Sequence, residues 1–158
     1  MRGIAILLAL HVAAVVLWIG GVGFVTMALL PALREMRDPR ERLALFEALE
    51  HRFSRIARAS ILVAGATGFY LVARLHAWTW FAAAAFWWLD AMVLVWLLFA
   101  VMLFLAGPLV LHRRFPRWAS TKPDTAFAWM NRIHWVLLLL SLLTVFGAVS
   151  GSQGWTPL

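Results

Sequence analysis

The sequence predicts an all-α, integral membrane four-helix bundle, on three observations. Apolar residues make up 64% of the chain and charged ones 13%, against about 45–50% and about 25% in a soluble domain. Four apolar runs are each long enough to cross a bilayer, whose hydrocarbon core of about 30 Å needs about 20 residues at about 1.5 Å each. The basic residues gather at the ends of those runs instead of spreading along the chain. Because the longest polar interval is residues 34–56, no hydrophilic domain remains, and residues 1–158 read as a single transmembrane domain.

The first span is residues 4–30, closed by Pro31. It is about twice as long as a signal-peptide core of about 7–15 residues and lacks a clean small-residue cleavage site, so a retained span is expected. The polar interval that follows is itself helical in pattern. Asp38 and Pro39 make an N-cap with proline at the first helical position. Leu43, Phe46, Leu49, Phe53 and Ile56 then recur at helical spacing. This helix either lies near the membrane surface or runs straight into the second span, residues 57–80. The third span covers 86–111, and the fourth covers 133–151 if Ser150 and Gly151 continue the helix.

Charge sets the orientation. Arg34, Arg37, Arg40, Arg42, Arg52, Arg55 and Arg58 flank the first connection, and Arg113, Arg114, Arg117, Lys122 and Arg132 the third. Only Arg2 and Arg74 lie on the other side. By the positive-inside rule both of these connections are cytoplasmic, and in a bacterial inner membrane both termini are periplasmic. Tryptophans agree with this: Trp78, Trp80, Trp87 and Trp88 crowd the outer connection, and Trp118, Trp129 and Trp135 mark the inner rim. The sequence pI of 11.7 is therefore topological. The expected partner is the lipid bilayer and not nucleic acid.

An ionisable ring within hydrocarbon is costly unless something binds it or bonds to it. His11 lies well inside its span, about two turns below the outer surface and on one face with Leu7, Ala14, Val15 and Trp18. His76 ends the stripe Ser60, Ala64, Gly68, Val72, His76, which is nearly free of bulk and open to close approach. Gly20, Gly21 and Gly23 open a similar gap on the first helix. Two histidines at comparable depth in the outer leaflet, each beside small residues, suit bis-imidazole ligation of a b-type haem iron. The alternative is that each bonds a carbonyl or a hydroxyl on another helix. His112 and His134 also lie at comparable depth, at the inner side, and a second haem would fit between them; solvation is the competing reading for His112. Trp18 would pack on a porphyrin edge or simply fill the bundle core. His51 falls on a polar face and is expected to be solvated, the alternative being that it pairs with His134.

The chain has no cysteine, which excludes disulfides, thiolate metal sites and covalent haem attachment. Asp90 is the only acid within a span, and it either reaches water, meets Arg74 or relays protons. The six methionines show no clustering of the kind a soft copper(I) site uses.

The stretches HVAAVVLWIGG, HRFSRIARASILVAGATGFYLV and RIHWVLLLLSLLTVFGAVSG resemble the CopD-like membrane proteins and, in layout, the related HemJ-like proteins. The resemblance covers all four spans and is sharpest in the first, where His11 precedes Trp-x-Gly-Gly. It implies a four-helix bundle, with haem b and porphyrinogen oxidation on the HemJ-like side and copper uptake on the CopD-like side. It also implies that His11 is a haem ligand. The HemJ-like pattern has a lysine near the start of the third span, where this chain has WWLDAMVLVW, offering Asp90 or Met92 instead. Taken together, the expectation is a membrane protein holding one or two haems b on His11, His76, His134 and His112. It would carry electrons between a membrane quinone and an outer-face acceptor or redox partner, as a haem-dependent oxidoreductase. The rivals are a copper carrier, a porphyrinogen oxidase and a structural subunit of a larger membrane complex.

Overall fold

The computed structural model describes residues 2–111 and 114–155, and it is all-helical. Helix α1 (Arg2–Phe24) continues through a π-helical turn (Val25–Leu29) into α2 (Leu30–Glu35). Pro31 therefore does not end the first helix. A proline lacks the N–H for an in-helix bond and its ring crowds the carbonyl four residues back, and the wider π turn just before it gives room for both.

Helix α3 (Pro39–Arg74) is one unbroken helix of 36 residues, so the polar interval runs straight into the second span. Asp38 caps it by accepting the Arg40 N–H at 2.8 Å, with Pro39 in the first turn. Two 3-10 segments (Ala77–Ala82 and Ala84–Phe86) form the connection to α4 (Trp87–Val101). Beyond α4 the chain widens into a ten-residue π-helical stretch, Met102–Leu111. A short helix α5 (Phe115–Thr121) leads into α6 (Pro123–Ser152).

Four of these helices are long and apolar enough to cross a membrane. Their outward surface fits that solvent: Val16, Leu17, Leu94, Leu143 and Phe146 are each about three-fifths exposed or more, a density of bare apolar side chains that soluble monomers avoid. Around the bundle, α1 packs most extensively on α3 and α4 on α6, with α1–α6 and α3–α4 contacts closing the ring. Hence α1 faces α4 diagonally, and the two meet where the Trp18 ring stands edge-on to Phe99, 4.8 Å between centroids.

Glycines set how close the helices come. Trp96 of α4 lies over Gly65 of α3, Trp87 over Gly147 of α6, and Trp88 over Gly151. Each indole fills a notch that any side chain would occupy. The arginine-rich end carries a separate core, in which Phe46 of α3 meets Phe115 and Phe127 with Leu30 and Leu33 beside them. Arg42 is buried within it, its guanidinium bonded to the Asp124 carboxylate at 2.8 Å and to the Met36 carbonyl, and lying 5.6 Å from the Phe127 ring centre. One cation thus ties the end of the first helix pair, α3 and the first turn of α6 together.

A candidate histidine site between the first two spans

His11 of α1 faces α3. Its Nδ1 lies 3.0 Å from the Ala64 carbonyl oxygen and 3.1 Å from Thr67 Oγ1. A carbonyl can only accept, so Nδ1 carries the ring proton. The Thr67 hydroxyl spends its own proton on the Val63 carbonyl at 2.6 Å, which turns an oxygen lone pair toward the imidazole. The hydrogen bonds fix the tautomer and the ring plane. Nε2 keeps its lone pair and makes no hydrogen bond among the described residues.

Gly68 lets the ring in. A Cβ there would stand 3.0 Å from His11 Cε1. On the stripe read from the sequence, Ser60, Ala64 and Val72 are buried and Gly68 is half-buried, so its lack of bulk is used by His11 itself.

His76 is not brought to this place. Helix α3 ends at Arg74, and His76 lies beyond it, exposed, in the left-handed conformation with φ 52° and ψ 34°. From Gly68 to Arg74 the helix rises about 9 Å, so the two imidazoles are separated along the bundle axis. Sequence spacing had put His76 on the helical stripe; the early helix end removes it.

Trp18 is two turns from His11 on the same helix face and is 4% exposed. Its indole Nε1 is buried without a partner, and its ring packs on Phe99 in the core cluster that also holds Ile61. His134 repeats the His11 pattern within its own helix, with Nδ1 3.0 Å from the Met130 carbonyl. The proton is again on Nδ1 and Nε2 is uncommitted. His112 lies outside the described residues. His51 is exposed on α3, and Asp90 is half-buried in the first turn of α4 and makes no ion pair among the described residues. Among the described residues no group of three or more histidine, aspartate or glutamate side chains is placed to hold a metal ion.

Two features escaped the sequence reading. Thr67 gave no signal apart from lying three residues beyond Ala64, and the Ala64 carbonyl is exposed to His11 only because both neighbours on the stripe are small. Arg42 read as one topological arginine among seven in the first connection, whereas it is the buried centre of the end core.

The fold and the site together define an all-α, four-helix protein of membrane-spanning character with an oriented imidazole between its first two spans. Comparison with protein-family models, with curated proteins and with solved structures gives no match to this chain.

Proposed function

We propose that this chain is a b-type haem-binding electron-transfer protein of the bacterial inner membrane, with both termini periplasmic and His11 as the residue that would hold the haem iron. It would pass electrons between the quinone pool and an acceptor on the outer face. The supporting observation is the His11 tautomer. A metal-ligating histidine almost always gives its other ring N–H to a carbonyl, a carboxylate or water, and His11 does so to the Ala64 carbonyl at 3.0 Å.

One residue of the chain, His11, is oriented so that it would hold such an iron. His11 offers a lone pair at Nε2. Ala64 and Thr67 hold the ring plane, and the bond to the carbonyl raises the basicity of the free nitrogen. The surrounding apolar helices keep water away. Bound haem would supply one-electron chemistry. The resemblance to CopD-like and HemJ-like proteins adds support at His11 alone, the position that matches their first-helix histidine.

A reduced-minus-oxidised optical spectrum of the purified protein, with haem counted per folded chain, tests the reading. Wild type should show a b-type spectrum, His11→Ala should lose it, and His51→Ala should keep it. Full haem retention in His11→Ala overturns the assignment. A colourless protein that binds copper(I) stoichiometrically replaces it with the copper carrier. The orientation has its own check, since a reporter fused after Gln153 should be active only if it functions in the periplasm.

A further inference from the structure

Helix α3 carries two cations on a bare apolar face. Arg52 and Arg55 are both exposed and stand three residues apart on one unbroken helix, which makes them neighbours on its surface. The same exposed line runs on through Ile56, Ala59 and Leu62, with Ile56 and Leu62 each more than half bare.

Their depth follows from α1. His11 meets Ala64 and Thr67, and the Phe53 ring fills the space beside Gly21. The two helices therefore run antiparallel, and Arg52 stands close to the level of Gly21. Arg55 lies about 4.5 Å further into the bundle. On α1 this level falls between Leu17 and Phe24, both 60% exposed. The apolar outer surface thus extends to the depth of both arginines. A charged group there must stretch toward the lipid head groups or be matched.

Among the described residues no carboxylate matches them. The only ion pair is Arg42–Asp124, and every guanidinium hydrogen bond belongs to Arg42. None of the residues three or four places away from either arginine is acidic, so the helix offers no counter-charge of its own. The counter-charge has to come from the lipid side. Guanidinium groups bind phosphate oxygens by paired N–H bonds, and a leaflet supplies phosphodiesters at this rim. A zwitterionic head group would add a cation with no acid to meet it. A soluble phosphate would leave the apolar part of the face unused.

We propose that Arg52 and Arg55 hold the phosphodiester of an anionic phospholipid, of the phosphatidylglycerol kind, in the leaflet at the arginine-rich end, with an acyl chain lying along Ile56 and Leu62. The inference goes beyond the electron-carrier reading and does not depend on it.

The test uses the full chain in nanodiscs of mixed phosphatidylglycerol and phosphatidylcholine, with native mass spectrometry counting the lipids that stay bound. Wild type should retain phosphatidylglycerol beyond its share of the bilayer. Arg52→Gln and Arg55→Gln should each lower that preference about fivefold, the factor expected for one basic residue at an anionic lipid surface. The double variant should abolish it. Arg37→Gln and Arg40→Gln remove equally exposed arginines from the first connection and should leave the preference unchanged. An equal loss in those two variants means diffuse attraction to the whole basic end, and overturns the site. So does a wild type that retains both lipids in proportion to the bilayer. Inorganic phosphate added to the released complex should not displace the lipid. Displacement gives the arginine pair to a soluble anion and overturns the lipid reading.

Discussion

His11 and Gly68 fit against each other so closely that a methyl group on Gly68 would stand 3.0 Å from Cε1 and 3.4 Å from Nδ1 of the imidazole. Two effects compete in Gly68→Ala. Alanine gains about 1 kcal/mol of helix propensity over glycine, while the ring must give by a few tenths of an ångström. The ring is held on one side only, at Nδ1, and can tilt. We therefore expect Gly68→Ala to stay within about 1 kcal/mol of wild type. Gly68→Val should cost about 1–3 kcal/mol as an overpacked contact, and should lower haem per folded chain by pushing the ring from the Ala64 carbonyl. Unfolding in mixed micelles, with haem counted alongside, reads both. A valine variant with full haem would show that the ring orientation does not matter.

Gly65 gives the opposite balance. Its missing Cβ would fall 2.6 Å from the Trp96 ring, and that indole cannot easily move. Its Nε1 donates to the Ile61 carbonyl at 2.9 Å, and its ring stands perpendicular to that of Phe69 at 5.6 Å between centroids. Gly65→Ala should therefore destabilise by about 1–3 kcal/mol despite the propensity gain. Adding Trp96→Leu should recover part of that loss, so the double variant is more stable than the sum of the singles predicts. Strict additivity would mean that the notch is not the contact that matters.

These two glycines show what the sequence could and could not convey. The four spans were legible because lipid demands about 20 apolar residues per crossing, and such runs survive any detail of packing. The cap at Asp38 and Pro39 was legible because it is local. His11 as a histidine inside the first span was legible for the same reason as the spans. Its partner was not. Pairing His11 with His76 rested on continuing α3 at helical spacing, and the chain leaves the helix at Arg74. What His11 meets instead, the Ala64 carbonyl and Thr67 Oγ1, is fixed by how far α1 slides along α3, and residue patterns within either helix leave that sliding open. The burial of Arg42 was hidden likewise, since only the meeting of α3, α5 and α6 distinguishes it from the exposed arginines around it.

Arg42 and Asp124 differ sharply in exposure, 5% against 87%, and this ranks their variants. Asp124→Ala leaves the buried guanidinium with carbonyls alone, and should cost about 1–2 kcal/mol, discounted because the lost acid is solvent-screened. Arg42→Met fills the same space with apolar atoms beside Phe127 and leaves Asp124 in water, but like alanine it leaves the Met36 and Arg34 carbonyls without their donor, so it should cost about 1–3 kcal/mol. Arg42→Ala leaves both a void and unmet carbonyls at Met36 and Arg34, and should be the worst of the three at about 2–5 kcal/mol. Thermal unfolding of the three in detergent gives the order. If Arg42→Met is as damaging as Arg42→Ala, the guanidinium with its hydrogen bonds, and not the volume it fills, holds the end core together.

His76 occupies a backbone position that favours glycine. It follows the last turn of α3 with φ 52°, and its N–H reaches back to the Ala73 carbonyl at 3.3 Å, closing the helix as a C-terminal left-handed residue does. An L side chain in that conformation costs about 1–2 kcal/mol, although histidine is among the residues that tolerate it better. Glycine removes the clash but gives back part of the gain through its freer unfolded chain. The net expectation for His76→Gly is a stabilisation of about 0.5–1 kcal/mol. His76→Asn should fall between glycine and the wild type, because asparagine also visits this region. Haem per folded chain provides the second readout. With His76 exposed and about 9 Å or more along the axis from the His11 level, His76→Gly should leave the spectrum unchanged. A variant that gains stability and keeps its haem assigns His76 to ending the helix. A variant that loses the low-spin bands makes His76 a ligand, and requires the outer connection to fold inward over His11 when haem binds.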